Sequence, residues 1–240
     1  MEREEFSAII EEKMQKIHID MNKRQIEQFY LYMNLLLEWN KKMNLTAITE
    51  PQEVITKHFV DCATVMKHLE GAKRVIDVGS GAGFPGIPIK ILKPDIEICL
   101  MDSLQKRISF LEEVIQKLRL EKIETIHARA EELGRNKAYR EQFDATVSRA
   151  VAPLNVLLEY VSPFLKVKGK AICMKGSNIE KELKESEKAF QELKMKLVQK
   201  EEFKIPETDL KRSIVIFQKE NVTPKTYPRK PGTPKNRPIA

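Results

Sequence analysis

The sequence predicts a doubly wound, mostly parallel α/β sheet preceded by a helical extension. Three observations carry this. Residues 1–70 place apolar side chains at helical spacing. Residues 71–218 alternate short β-rich runs with helical ones, the pattern of a parallel sheet covered on both faces. At 75–88 an apolar strand runs straight into a glycine loop and then a helix.

In the N-terminal zone, Phe6, Ile9, Ile10, Met14 and Ile17 recur at helical spacing. So do Ile26, Phe29, Tyr30, Met33, Leu36 and Leu37 in the next run. Between the two, Asp20 or Asn22 can cap the second helix. A turn is expected at 40–44, and Pro51 can open a third helix through Val54, Ile55, Phe59 and Val60. Strands are expected at 74–78, 96–101, 123–127, 143–147, 170–175 and 213–218, with a weaker one near 197–205. Helices are expected at 104–118 and 179–195. No clear helix separates the final two strands, so a hairpin and one antiparallel edge strand are expected. Residues 219–240 hold five of the twelve prolines and no apolar periodicity, and read as an extended tail. The expected units are therefore 1–70, 71–218 and 219–240.

Composition narrows the function classes. At 240 residues, 42% of them hydrophobic and 32% charged, the chain has the balance of an ordinary globular protein. No apolar run approaches the ~18 residues that span a bilayer, and Met1-Glu2-Arg3-Glu4-Glu5 is no signal peptide, so a cytoplasmic protein without membrane contact is expected. Cys62, Cys99 and Cys173 form neither a disulfide framework nor a zinc pattern, and no metal is expected. Residues 211–240 contain eight basic side chains against Glu220 alone, so this segment carries the whole net charge of +7. A neutral body with a basic end points to local contact with a polyanion; the competing reading is a tail that is merely soluble, or one that packs back on the domain.

The run Val75-Ile76-Asp77-Val78-Gly79-Ser80-Gly81-Ala82-Gly83-Phe84-Pro85-Gly86 is the sharpest local signal. Glycine lets the backbone turn and lets a ligand approach main-chain atoms, and ligands of open α/β sheets bind beyond the carboxyl ends of the strands. Two frames compete. Gly81-x-Gly83-x-x-Gly86 matches the dinucleotide fingerprint. Asp77-x-Gly79-x-Gly81-x-Gly83 resembles the first motif of S-adenosylmethionine methyltransferases. Asp77 favours the second frame, because a carboxylate is awkward beside a pyrophosphate and suits a cationic sulfonium ligand. It can equally brace the loop through backbone N–H groups. Asp102 ends the next strand, where a carboxylate can accept from ribose hydroxyls or cap the following helix. Ala130-Glu131, after the third strand, can flank an adenine.

The fourth strand ends Ser148-Arg149-Ala150. The Asp/Asn-Pro-Pro-aromatic run usual in enzymes that methylate exocyclic amines is absent there. Cys99 and Cys173 lie inside strands, against a covalent nucleophile. Arg149 suits phosphate recognition or the carboxylate end of a cofactor, with a surface ion pair as the alternative.

Beyond single motifs, the chain resembles the glucose-inhibited division protein B family, the ribosomal small-subunit methyltransferases G. The shared segments are 38–46 (EWNKKMNLT), His58-Phe59-Val60-Asp61, 77–88, 102–107 (DSLQKR), Ala130-Glu131, Ser148-Arg149-Ala150, Lys175-Gly176 and 227–232 (YPRKPG). The resemblance implies a class I, Rossmann-like methyltransferase that uses S-adenosylmethionine to methylate N7 of a guanine in 16S ribosomal RNA. It carries cofactor contacts to Gly79, Phe84, Ala130, Glu131 and Arg149; with the residues read above, the expected cofactor set adds Asp77, Gly81, Gly83 and Asp102. Cys62 stands where many relatives have serine. The expected RNA contacts are Lys106, Arg107, Lys175, Arg212, Tyr227, Arg229, Lys230, Lys235 and Arg237, with the basic tail docking RNA and taking no part in the cofactor site. A monomer acting on 16S RNA, free or within the small subunit, is expected, with Arg149 the candidate for positioning.

Overall fold

A computed structural model describes residues 1–177 and 179–239. Helices α1 (Arg3–Gln15) and α2 (Lys23–Asn40) open the chain. Asn22, not Asp20, caps α2: Asn22 Oδ1 accepts from the Gln25 N–H at 3.0 Å, and the Gln25 side chain accepts from the Asn22 N–H at 2.9 Å. The same Gln25 donates to the carbonyls of Ile91 and Leu92, and Gln28 donates to that of Leu118. Helix α2 thereby satisfies the terminal carbonyls of two other helices. Pro51 opens a run that is α3 (Pro51–Val54), then a π-helical turn over Ile55–Val60, then α4 (Asp61–Ala63).

The sheet follows: β1 (Arg74–Val78), α5 (Gly86–Leu92), β2 (Glu97–Asp102), α6 (Gln105–Leu118), β3 (Ile123–His127), α7 (Ala130–Leu133), β4 (Phe143–Arg149), α8 (Leu154–Val161), β5 (Leu165–Lys175), α9 (Ile179–Glu185), α10 (Glu187–Glu192), β6 (Met195–Lys204) and β7 (Lys211–Lys219). Seven strands run in the order β3-β2-β1-β4-β5-β7-β6, all parallel except β7, which is antiparallel to both neighbours. The hairpin is as expected, but its antiparallel strand is not at the edge. Ser213–Phe217 is buried on both faces, which needs a neighbour on each side, whereas β6 alternates with exposed polar residues and tolerates the edge. The expected helix at 179–195 breaks at Ser186, whose hydroxyl donates to the Glu182 carbonyl.

The period-2 alternation of strands sorts side chains to two faces. Val75, Ile98, Leu100, Ala145, Val147, Ile172, Met174, Ile214 and Ile216 join one core with α1, α2, α5, α6 and the π turn. Ile76, Val78, Cys99, Met101, Ala171, Cys173, Val215 and Phe217 join the other with α8 and α10. The N-terminal helices are thus one wall of the sheet's core. Following Ala145 and Val147, Arg149 points to the same side as the π turn.

The reading of 219–240 as an extended tail is overturned. The segment folds back through polar contacts. The fully buried Lys219 ammonium meets Glu141 at 2.8 Å and the carbonyls of Ser162 and Leu165. Arg140 donates to the carbonyls of Thr223 and Tyr227, and Arg135 to that of Pro228. The short α11 (Thr233–Asn236) follows, and Ile239 enters the second core. Periodicity missed this because the segment is held mainly by carbonyls and charges, not by an apolar stripe. Its strongest anchor is Arg229, whose backbone N–H, Nε and Nη2 all bond the Glu159 carboxylate, which has no exposed surface.

Removing one partner of a buried ion pair strands the other, typically at a cost of ~3–5 kcal/mol. Arg229→Ala is therefore expected to lose that much unfolding free energy in urea titration; a loss under about 1 kcal/mol, the size of a surface ion pair, would show the anchor to be superficial.

Candidate functional site

The glycine loop is closed by two carboxylates. Asp77 has no exposed surface; its Oδ2 accepts from the Gly86 N–H at 2.9 Å, and its Oδ1 has no partner among the described residues. Burial drives its carboxyl up to about 7, against the Gly86 N–H, which favours the charged form. Gly86 is required here because a Cβ would lie 2.8 Å from Asp77 Oδ2 and 2.3 Å from the Leu100 side chain. The loop-bracing reading of Asp77 is the one realised; its carboxylate lines neither cavity described below. Asp102, also buried, accepts from the Gly81 N–H and the Leu104 N–H, each at 2.9 Å, and from Arg107 at 3.3 Å.

Above this loop lies a cavity of about 450 Å³ bordered by Gly79, Asp102, Ala130, Glu131 and Tyr160. Gly81 has φ +60° and nothing within 4 Å of where a Cβ would stand. The cavity's carboxylates, Asp102 and Glu131, have lone pairs for hydroxyl and amino donors. Open main chain at a glycine turn, two buried acceptors and this volume fit a nucleoside-bearing cofactor. The tail enters this cavity: Gly232 and Lys235 border it, and the Gly232 N–H donates to Glu131 Oε1 at 2.9 Å. The tail is expected from sequence to take no part in the cofactor site; it does contribute to the wall of this cavity.

A second cavity, about 640 Å³, opens where Lys57, His58, Asp61, Arg149, Lys175, Glu182 and Arg212 converge. Ala150 and Val151 border both cavities. Arg149 sits at the centre of a buried cluster: it donates to Asp61 at 3.0 Å and the Lys57 carbonyl at 3.2 Å, and lies 4.7 Å over the Phe84 ring. Arg212 takes the other Asp61 oxygen at 3.2 Å. Arg149 Nη2 lies 3.0 Å from His58 Nδ1. The Lys57 carbonyl is 3.1 Å from the same Nδ1 and would need a proton there; the shorter, charged Arg149 contact can only donate, so Nδ1 is assigned as acceptor and the proton to Nε2, 2.8 Å from the Thr46 hydroxyl. Burial, then the Arg149 charge, push His58 down to about 3. A larger cleft of about 750 Å³, between the α1–α2 turn and β6, contains none of the residues expected from sequence.

The expected residues divide as follows. Gly79, Asp102, Ala130 and Glu131 border the first cavity, with Gly81 at its loop. Phe84 and Gly83 lie behind the loop, Phe84 stacked on His58 at 4.3 Å between ring centres and Gly83 packed against Ile87 and Tyr32. Arg149 borders the second cavity, as do Lys175 and Arg212, both in ion pairs. Arg107 and Lys235 border the first. Tyr227 bonds Glu192 and Arg229 bonds Glu159. Lys106, Lys230 and Arg237 are exposed and in no ion pair among the described residues. Sequence reasoning did not mark His58, Asp61, Glu182 or Gly232 as site residues. His58 and Asp61 had a signal, since positions i and i+3 share a helix face. All three thiols are buried, and burial pushes Cys62 and Cys173 up to about 12 and Cys99 up as well. None is poised as a nucleophile. Among the described residues no cluster could hold a metal ion and no helix is long and apolar enough to cross a membrane.

A family model described as rRNA small subunit methyltransferase G matches residues 25–214. A protein of Alkaliphilus metalliredigens named ribosomal RNA small subunit methyltransferase G is 46% identical over 98% of this chain and 99% of its own. One of the same name from Desulfitobacterium hafniense is 48% identical over 94% of each. The fold is similar to that of the YcgJ protein from Bacillus subtilis (TM-score 0.53, 15% identity, 68% of this chain and 100% of that one). It is also similar to a ribosomal protein L11 methylase from Lactobacillus delbrueckii subsp. bulgaricus (TM-score 0.53, 16% identity, 69% and 79%).

The His58 geometry makes a prediction about acid stability. A folded value of about 3 against an ordinary 6.5 means the neutral ring stabilises the fold above pH 6.5, and that contribution is lost as pH falls toward 3. Asp77, raised from 3.8 to about 7, works oppositely between those values, so wild type is the proper reference. His58→Gln should unfold between pH 6.5 and 3 with about one proton less uptake than wild type; identical pH slopes would mean that His58 is not held neutral.

Proposed function

Because the chain belongs to the ribosomal RNA small subunit methyltransferase G family, we propose that it transfers a methyl group from S-adenosylmethionine to N7 of a guanine in 16S ribosomal RNA. The observation that carries this reading is the pair of cavities meeting at Ala150–Val151. One suits a nucleoside cofactor; the other is lined by Lys57, Arg149, Lys175 and Arg212 against Asp61 and Glu182, an excess of positive charge suited to RNA. Strand order also weighs against the dinucleotide frame, because an antiparallel β7 between β5 and β6 departs from the parallel 3-2-1-4-5-6 order of dinucleotide folds.

Gly79, Gly81, Asp102, Ala130 and Glu131 would hold the cofactor, which supplies an electrophilic methyl on a sulfonium. Guanine N7 offers an in-plane lone pair and no proton, so its attack needs no base. The acceptor cavity is consistent with that: His58 Nδ1 is engaged by Arg149 and its proton by Thr46. The contribution of these residues is then to hold the base in line with the methyl group, an effect worth up to ~7–11 kcal/mol. Arg149 orients the wall between the cavities through Asp61, Lys57 and His58. Lys106, Lys230, Lys235 and Arg237 are exposed cations that can meet RNA phosphates, and we place the enzyme in the cytoplasm as a monomer acting on this RNA, free or in the small subunit.

Two measurements test this. In calorimetry the protein should bind S-adenosylmethionine and not NADP, and Gly81→Val should abolish binding, because its side chain would enter the open space above the loop. Heat with NADP alone would sink the cofactor assignment. In cells lacking the gene, one N7-methylguanosine should vanish from 16S RNA. Wild type should restore it and Arg149→Ala should do so at a tenth of the rate or less, a loss of ~1.4 kcal/mol or more. Full restoration by Arg149→Ala would remove its positioning role.

A further inference from the structure

Resting on the guanine-N7 reading, we propose that Glu182 and Lys175 together read the Watson–Crick edge of the target guanine, so that Glu182 sets base specificity. Nothing in the methyl-transfer chemistry requires this pair, yet it stands on the wall of the acceptor cavity. Lys175, at the end of β5, has 9% of its side chain exposed and meets Glu182 Oε2 at 2.6 Å and the Ala152 carbonyl at 2.7 Å. Glu182, on α9, has 30% exposed; its Oε2 also accepts from the Leu154 N–H at 2.9 Å, while its Oε1 takes no hydrogen bond among the described residues. The ammonium has three donors and spends two on Glu182 and Ala152. One donor and one carboxylate oxygen therefore remain, on two bonded groups of the same cavity wall.

That arrangement is complementary to guanine. Its edge presents O6, an acceptor, beside N1–H and the N2 amino group, both donors. Lysine can only donate and carboxylate only accept, so O6 faces Lys175 while N1–H and N2–H face Glu182. Adenine presents the reverse, an amino group toward the ammonium and a lone pair toward the carboxylate, and both contacts become repulsive. Sites that leave buried polar groups unpaired reject the wrong ligand far more strongly than apolar pockets do. Ile48, Val151, Pro153 and Met174 supply apolar wall for the ring faces. Gripping the base by this edge leaves N7 unengaged on the adjoining edge, beside O6, free to face Ala150–Val151.

The test is a double-substitution cycle in single-turnover methyl transfer to methyl-free small subunits carrying guanine or inosine at the target. Inosine lacks only the N2 amino group. Wild type should lose ten-fold or more in rate on inosine. Glu182→Gln, which keeps acceptors for Lys175 and Leu154, should lose ten-fold or more on guanine and less than three-fold further on inosine. Its affinity for S-adenosylmethionine should stay within two-fold of wild type. Independent losses that multiply would place Glu182 away from the base. Equal wild-type rates on guanine and inosine would overturn the proposal without any variant, even if Glu182→Gln failed to fold. Failure of wild type to methylate guanine subunits at all would instead refute the functional reading on which the proposal rests.

Discussion

Asp61 is a carboxylate with 2% of its side chain exposed, set between two guanidinium groups, Arg149 at 3.0 Å and Arg212 at 3.2 Å. An isolated charge at that depth is prohibitively costly, so the three must be assembled together or not at all. They come from three separate parts of the chain: the helical run after Pro51, the end of β4 and the start of β7. The cluster ties the N-terminal helices to the carboxyl edge of the sheet. It also fixes the shape of the second cavity, since Arg149 holds both the Lys57 carbonyl and the His58 ring. The π turn over Ile55–Val60 is where this wall is made; such turns insert an extra residue and often mark functional sites.

The glycine-loop side is organised on the opposite principle, with carboxylates bonded mainly to backbone N–H groups. Asp77 holds Gly86, Asp102 holds Gly81 and Leu104, and Glu131 holds Gly232. Each bond fixes a turn whose conformation the cofactor would otherwise have to impose, which lowers the ordering cost of binding. The last of them makes the C-terminal segment part of the cavity wall. A stretch rich in proline and positive charge thus serves structure and site together, while Lys230 and Arg237 stay exposed.

Much of the sheet was readable from sequence. β1 and β3 fall at the expected residues, because an apolar run bounded by a glycine loop or by polar residues leaves little choice. β5 begins five residues earlier than expected; its Lys166, Val167 and Lys168 are exposed and precede the buried run that gave the strand away. The place of β7 was not readable, since a hairpin fixes which strands pair and not on which side the second is laid. The residues that border the first cavity, Gly79, Asp102, Ala130 and Glu131, were legible because glycine and carboxylate at strand ends have few other uses. Glu182 was not, because a single acidic residue on a helix looks like any solvated position until the fold brings a cation to it.

Under the proposed function, a cofactor bound over the glycine loop turns its reactive end toward the second cavity across Ala150–Val151. A crystal structure with S-adenosylhomocysteine would show this. The adenosine should lie between Asp102 and Ala130–Glu131, beneath Gly232, with the sulfur facing Ala150–Val151 and the Arg149 cavity open beyond it. A sulfur turned away from that wall, or a nucleoside lodged in the Arg149 cavity itself, would contradict it.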